Sequence, residues 1–183
     1  MRFQNNIDHA REVYESLTPY FDRDAHFWLQ YGSLEIEGKG GNLILAENYI
    51  NQAESLSPNY TYIQNAKCNL YYKMANLQDD LTHAIEYKSK ADELAEVLMS
   101  NNPENDPHIS HIHCRGTYNY IIKWTTDQTE KTYLLNELRK FITKEVRKYP
   151  RDKKLEQAAQ AINRTYMRQG ISDPSETDVE IEN

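Results

Sequence analysis

Glycine and proline are scarce in this chain, six of each in 183 residues, and cysteine is scarcer still, with two. So few punctuating residues leave few places to break a helix. Cys68 and Cys114 lie far apart with no framework spacing, which excludes a disulfide scaffold and fits a reducing compartment. No apolar run approaches the roughly 20 residues of a membrane span. The opening "MRFQNNIDHAREVYESL" lacks the continuous apolar core of a signal peptide. Positive charge is also in deficit. The net charge of -7 argues against general nucleic-acid binding, which rests on neutralising phosphates. The expected location is the cytoplasm, with no membrane partner.

What is present is a polar, helix-forming composition. Mean hydropathy is -0.86, yet 39% of residues are hydrophobic, enough for a core. Ala, Leu, Glu, Lys and Gln recur, and all favour helix. Turn residues gather at Thr18-Pro19, Gly38 to Asn42, Ser57-Pro58-Asn59, Asn76 to Asp80, Asn101 to Pro107, Thr125 to Thr129 and Tyr149 to Asp152. Between them the apolar residues recur with the helical period. Ile7, Ala10, Val13 or Tyr14, and Leu17 share one face. Leu43, Ala46, Tyr49 or Ile50, Ala53 and Leu56 share another. Further helices are expected from Asp79-Asp80 to about Ser100, and over Ile109 to Trp124, Lys131 to Lys148 and Lys154 to Arg168. No segment alternates as a strand would. The expected fold is all-α, about eight helices in antiparallel pairs. The segment 171–183 carries Asp173, Glu176, Asp178, Glu180 and Glu182 and little to bury, the composition of a disordered acidic tail.

Spacing then points to a repeat. Trp28 is followed by Tyr31-Gly32, and then by Ala46, Ile50, Ala53 and Pro58. This resembles the tetratricopeptide repeat (TPR), whose helix pair carries W-x-x-L-G-x-x-Y, then A-x-x-x-F-x-x-A, then Pro. Small residues let the two helices approach, and proline stops the second. Two departures stand out. Glu35 occupies the family's Tyr position, and the turn holding Lys39-Gly40-Gly41 is about two residues longer than usual. The resemblance implies an α-solenoid over 1–170. Residues 19–58 form its clearest repeat, 60–100 a second with Cys68, Tyr71, Ala84 and Ala91 in place, and 108–150 a degenerate third with Gly116 and Pro150. A capping helix spans 154–169. Ala10, Tyr14 and Leu17 look like a second helix without its first, so the expectation is a piece of a longer array or a helix that meets another subunit.

"HFWLQYGSLEIEG", "LAENYINQAESLSPN" and "KYPRDKKL" further resemble the C-terminal helical regions of bacterial anti-phage defence proteins, the STAND-type NTPases and their sirtuin-like relatives. That resemblance implies a sensor or assembly region, with catalysis in upstream domains. TPR geometry implies a concave groove lined by the first helix of each pair. It would hold His26, Leu29, Ser33 and Ile36, then Tyr62, Asn65, Asn69, Tyr72 and Lys73. Amides suit a peptide backbone and rings its side chains. Interhelix packing is the competing explanation for Tyr62 and Tyr72. Leu29, Ser33 and Ala66 stand where the chaperone-binding subtype needs carboxylate-clamping residues, so that subtype is not expected.

Candidate chemistry is thin. "EGKGGN" (37–42) holds three of the six glycines around Lys39, but a phosphate loop needs G-x-x-x-x-G-K-[ST] after a strand. The stretch suits an interhelix turn, with Gly38 ending one helix and Asn42 capping the next. "HISHIHC" offers His108, His111, His113 and Cys114 as zinc ligands, without the second ligand cluster that a structural site normally has. No nucleophile motif occurs. "RKFITKEVRKYPRDKK" (139–154) is basic. It suits either a nucleic-acid contact or a solvated face neutralised by the acidic tail. The expectation is a non-enzymatic protein-interaction module without a cofactor, with a nucleic-acid contact or a zinc site as alternatives.

Overall fold

The computed structural model describes residues 7–101 and 107–168. Among these there are eight helices and no strand. They are α1 (Ile7–Phe21), α2 (Ala25–Glu37), α3 (Leu43–Leu56), α4 (Thr61–Leu77), α5 (Leu81–Asn101), α6 (Pro107–Trp124), α7 (Gln128–Lys148) and α8 (Lys153–Arg168). The all-α expectation holds, and successive helices pack in pairs, as in a helical repeat. The acidic segment 171–183 lies outside the described residues. The chain divides into two compact units, 1–104 and 105–183.

In the first unit, α2 packs on α3 and α4 on α5, while α4 also lies against α2 and α3. The small residues sit where the helices come closest. A Cβ on Gly32 would stand 2.7 Å from the Ile50 side chain. Cys68 sits against the α5 backbone, its thiol donating to the Ala91 carbonyl at 3.4 Å. Ala46, Ile50 and Ala53 of α3 are fully buried, as are Ala84, Ala91 and Ala95 of α5. They join Leu29, Ile36, Ile63, Leu70 and Met74 in the core of this unit. Rings tie α1 to the first pair. Tyr31 stacks between Tyr14 and Tyr49, with centroids 4.6 and 4.0 Å away.

One boundary differs from expectation. Thr18-Pro19 does not break the chain, because α1 continues to Phe21 with Pro19 inside it. A proline removes one N–H and crowds the preceding turn. Here only the last turn of a half-exposed helix is affected, and water can satisfy the freed carbonyl. The stop comes instead at Asp24, whose carboxylate accepts the N–H groups of His26 (2.7 Å) and Phe27 (3.2 Å) and starts α2. No residue of α1 is fully buried, and Val13, Leu17, Tyr20 and Phe21 are exposed.

In the second unit, α6, α7 and α8 pack around Cys114, Ile121, Leu135, Leu138, Ile142, Leu155, Ile162 and Tyr166. The turn at 149–152 folds α8 back along α7. Asp152 accepts the Leu155 N–H at 2.8 Å and so begins α8.

Candidate partner-binding face

The first helices of the two pairs, α2 and α4, lie side by side. Polar contacts fix their spacing. Asn69 Nδ2 donates to Glu37 Oε1 at 2.6 Å. The Lys73 ammonium donates to the Ile36 carbonyl and stands 3.7 Å from Glu37 Oε2. On the other flank of α4, Glu54 of α3 accepts from Lys67 at 2.6 Å and from Gln64 at 2.9 Å. Burial works to raise the Glu54 pKa, but the bonds from Lys67 and Gln64 prevail and lower it.

The structure sorts the groove residues expected from the sequence into two groups. Leu29, Ile36, Asn65 and Tyr72 are buried, and Tyr72 donates its hydroxyl to Asp92 of α5 at 2.5 Å. These side chains hold helices together. His26 and Tyr62 are exposed, while Ser33, Asn69 and Lys73 are half-buried. Tyr62 is 60% exposed, its ring 5.4 Å from that of Tyr60. Spaced seven and then four residues apart, Tyr62, Asn69 and Lys73 run along one face of α4. The division follows from helix geometry. A residue one position from a groove residue is rotated by 100°, so a helix flanked on several sides buries most of its circumference.

Glu35 is the residue whose importance the sequence concealed. It is fully buried, and its carboxylate takes a two-pronged contact from Arg11 of α1. Arg11 Nε donates to Oε1 at 2.7 Å and Nη2 to Oε2 at 2.8 Å. The Asn42 N–H donates to Oε2 at 2.8 Å. Arg11 also reaches the Gly40 carbonyl at 3.3 Å and Asp8 at 2.9 Å. Burial alone would raise the Glu35 pKa. The Arg11 bonds, the Asn42 N–H and the Arg11 charge outweigh it and lower the pKa. The same contacts raise that of Arg11. Two oddities of the sequence thus have one cause. A glutamate stands on a buried face of α2, and the long 38–42 turn folds over its carboxylate. The only signal was a charged residue at an apolar helix position. Its partner lies 24 residues upstream, with no local spacing to reveal it.

The turn itself caps as expected at Asn42, which accepts from the N–H of Ile44 (2.9 Å) and Leu45 (3.2 Å). Gly38 ends α2 in extended backbone, and Gly40 supplies the left-handed residue at φ +83. A Cβ on Gly41 would lie 2.1 Å from the Glu35 carbonyl oxygen. Lys39 is exposed.

In the second unit the histidines do not converge. His108 is exposed, and His113 meets the Phe141 ring edge-on at 5.1 Å. His111 is half-buried, its pKa lowered by burial and then by the nearby Arg115 and Lys154 charges. Burial, with the Glu145 charge adding to it, raises the pKa of the Cys114 thiol. Among the described residues no three His, Cys, Asp or Glu side chains are grouped as a metal site would need. Ser110 and Glu145 are both buried, and Ser110 Oγ donates to Glu145 Oε2 at 2.6 Å. The basic segment becomes a stripe along α7. Arg139, Lys140, Lys144 and Arg147, with Asn136 and Thr143, line a groove of about 390 Å³.

Comparison of the chain with protein-family models, curated proteins and solved structures gives no match. Among the described residues no helix is long and apolar enough to cross a membrane.

Proposed function

We infer that the first unit is a TPR-like protein-interaction module, without catalytic activity of its own, that takes a peptide or protein segment along the α2/α4 face. The observation that carries this reading is the pairing of α2 with α4, with Tyr62 exposed on the same face of α4 as Asn69 and Lys73. An exposed ring offers apolar area to a partner side chain, while the amide and the ammonium offer donors to a peptide backbone or carboxylate. The Asn69–Glu37 and Lys73–Ile36 bonds preorganise those donors, which reduces the entropy lost on binding. The TPR identity rests on the close approach at Gly32 and Cys68 and on the buried Ala46, Ile50 and Ala53. The resemblance to defence proteins supplies the setting, a sensor or assembly region of a bacterial anti-phage system.

The test is quantitative co-purification from the source cell with the unaltered chain and with Tyr62→Ala, at a side chain 60% exposed. A protein retained by the former and lost with the latter, at unchanged melting temperature, supports the α2/α4 face. Equal recovery by both, or recovery by neither, overturns it.

A further inference from the structure

We propose that the α7 basic groove is the docking site for this chain's own acidic segment, residues 173–182. The groove is built from one helix face. Arg139, Thr143 and Arg147 are spaced four residues apart, as are Lys140 and Lys144. Lys140 pairs with Glu137 at 2.7 Å, whereas among the described residues Lys144 and Arg147 have no ion-pair partner. Two unpaired cations beside two further ones repel each other unless an anion lies among them.

The chain supplies that anion close by. The Arg139 guanidinium lies over the Tyr166 ring, 5.0 Å from its centroid, so the end of α8 stands beside one end of the basic stripe. From Arg139 to Arg147 the stripe is about 12 Å long, at roughly 1.5 Å per residue. α8 is described to Arg168, and Asp173 follows five residues later in the sequence, a reach of at most about 17 Å. Reach therefore does not limit the contact.

The spacing of the charges also matches. Glu176, Asp178, Glu180 and Glu182 occupy alternate positions, and no Lys or Arg interrupts them. In an extended chain alternate side chains share one side, about 6.6 Å apart. On a helix, residues four apart repeat at about 6 Å. Each turn of the basic stripe can therefore meet one carboxylate of an extended acidic strand. The proposal does not depend on the α2/α4 reading, which concerns the other unit.

The test is zero-length carbodiimide cross-linking of the full chain at low salt, using an equal mixture of isotope-labelled and unlabelled protein. Such a reagent joins an amine only to a carboxylate already in contact. The Lys140–Glu137 pair serves as the internal control. The expected products join Lys140 or Lys144 to Glu176, Asp178, Glu180 or Glu182 within one chain. They should vanish at 1 M salt, where the Debye length is about 3 Å. They should also vanish in the variant E176Q/D178N/E180Q/E182Q, while the control link persists. Formation of the control link without tail links overturns the proposal. Tail links found only between labelled and unlabelled chains also overturn it, and assign the groove to a second copy. Tail links that persist at 1 M salt overturn the electrostatic basis.

Discussion

Arg11 of α1 closes a two-pronged contact on the buried carboxylate of Glu35 in α2, at 2.7 and 2.8 Å. The pair joins three elements, because the Asn42 N–H that opens α3 donates to the same carboxylate. Breaking one side strands a charge. Arg11→Ala is expected to destabilise the first unit by about 3 kcal/mol, the low end for a broken buried pair because Arg11 keeps some contact with water. Arg11→Met/Glu35→Leu should cost less than Arg11→Ala alone, since it removes both charges. Urea unfolding of the three proteins measures the difference.

The same pair sets an acid limit. The folded state holds the Glu35 pKa below its ordinary value. A lowered pKa means the unfolded chain binds the proton more readily. The contribution is therefore complete above the unfolded pKa, about 4.3 for a glutamate. It is lost as pH falls through the folded value. Stability of the unaltered chain should fall on acidification through that window. Glu35→Gln, which does not titrate, should show a shallower fall. Parallel slopes in urea titrations from pH 6 to pH 3 would remove Glu35 as the cause.

The 38–42 turn depends on its glycines and not on its lysine. Gly41→Ala drives a Cβ to 2.1 Å from the Glu35 carbonyl oxygen, and backbone cannot step aside as a side chain can. The expected loss is about 1–3 kcal/mol. Gly40→Ala, at φ +83, should cost about 1–2 kcal/mol. Lys39→Ala, at an exposed site, should stay within about 0.5 kcal/mol. Melting curves of the three variants give the ranking.

Tyr62 and Tyr72 should separate cleanly. Tyr72 is 2% exposed, and its truncation to alanine is expected to cost about 3–5 kcal/mol. Tyr62→Ala, at 60% exposure, should leave stability within about 0.5 kcal/mol. Only Tyr62 can then report on partner binding without a folding defect. A large loss of melting temperature in Tyr62→Ala would contradict that assignment.

In the second unit, Ser110→Ala removes a donor from the buried Glu145 carboxylate. The expected cost is about 1–3 kcal/mol. Ser110→Thr keeps the hydroxyl and should recover part of it. An unchanged unfolding midpoint in Ser110→Ala would show that the carboxylate is solvated in another way.

Local physics made much of this protein legible in its sequence. The 3.6-residue period of Ala46, Ile50 and Ala53 records a buried helix face, and Asn42 records a helix start through its short acceptor side chain. Scarce glycine and proline leave helix as the default between turns. The small residues Gly32 and Cys68 mark where two helices must touch. Tertiary structure decided the rest, because it depends on which distant groups meet. Nothing near Glu35 in the sequence announces Arg11, yet their meeting makes a charged residue on a buried helix face the clamp on the 38–42 turn. Nor does periodicity say which residues on α4 remain open. Tyr62 and Tyr72 lie on the same helix and have the same chemistry, and the packing of the neighbouring helices leaves one to solvent and buries the other, with its hydroxyl on Asp92 of α5.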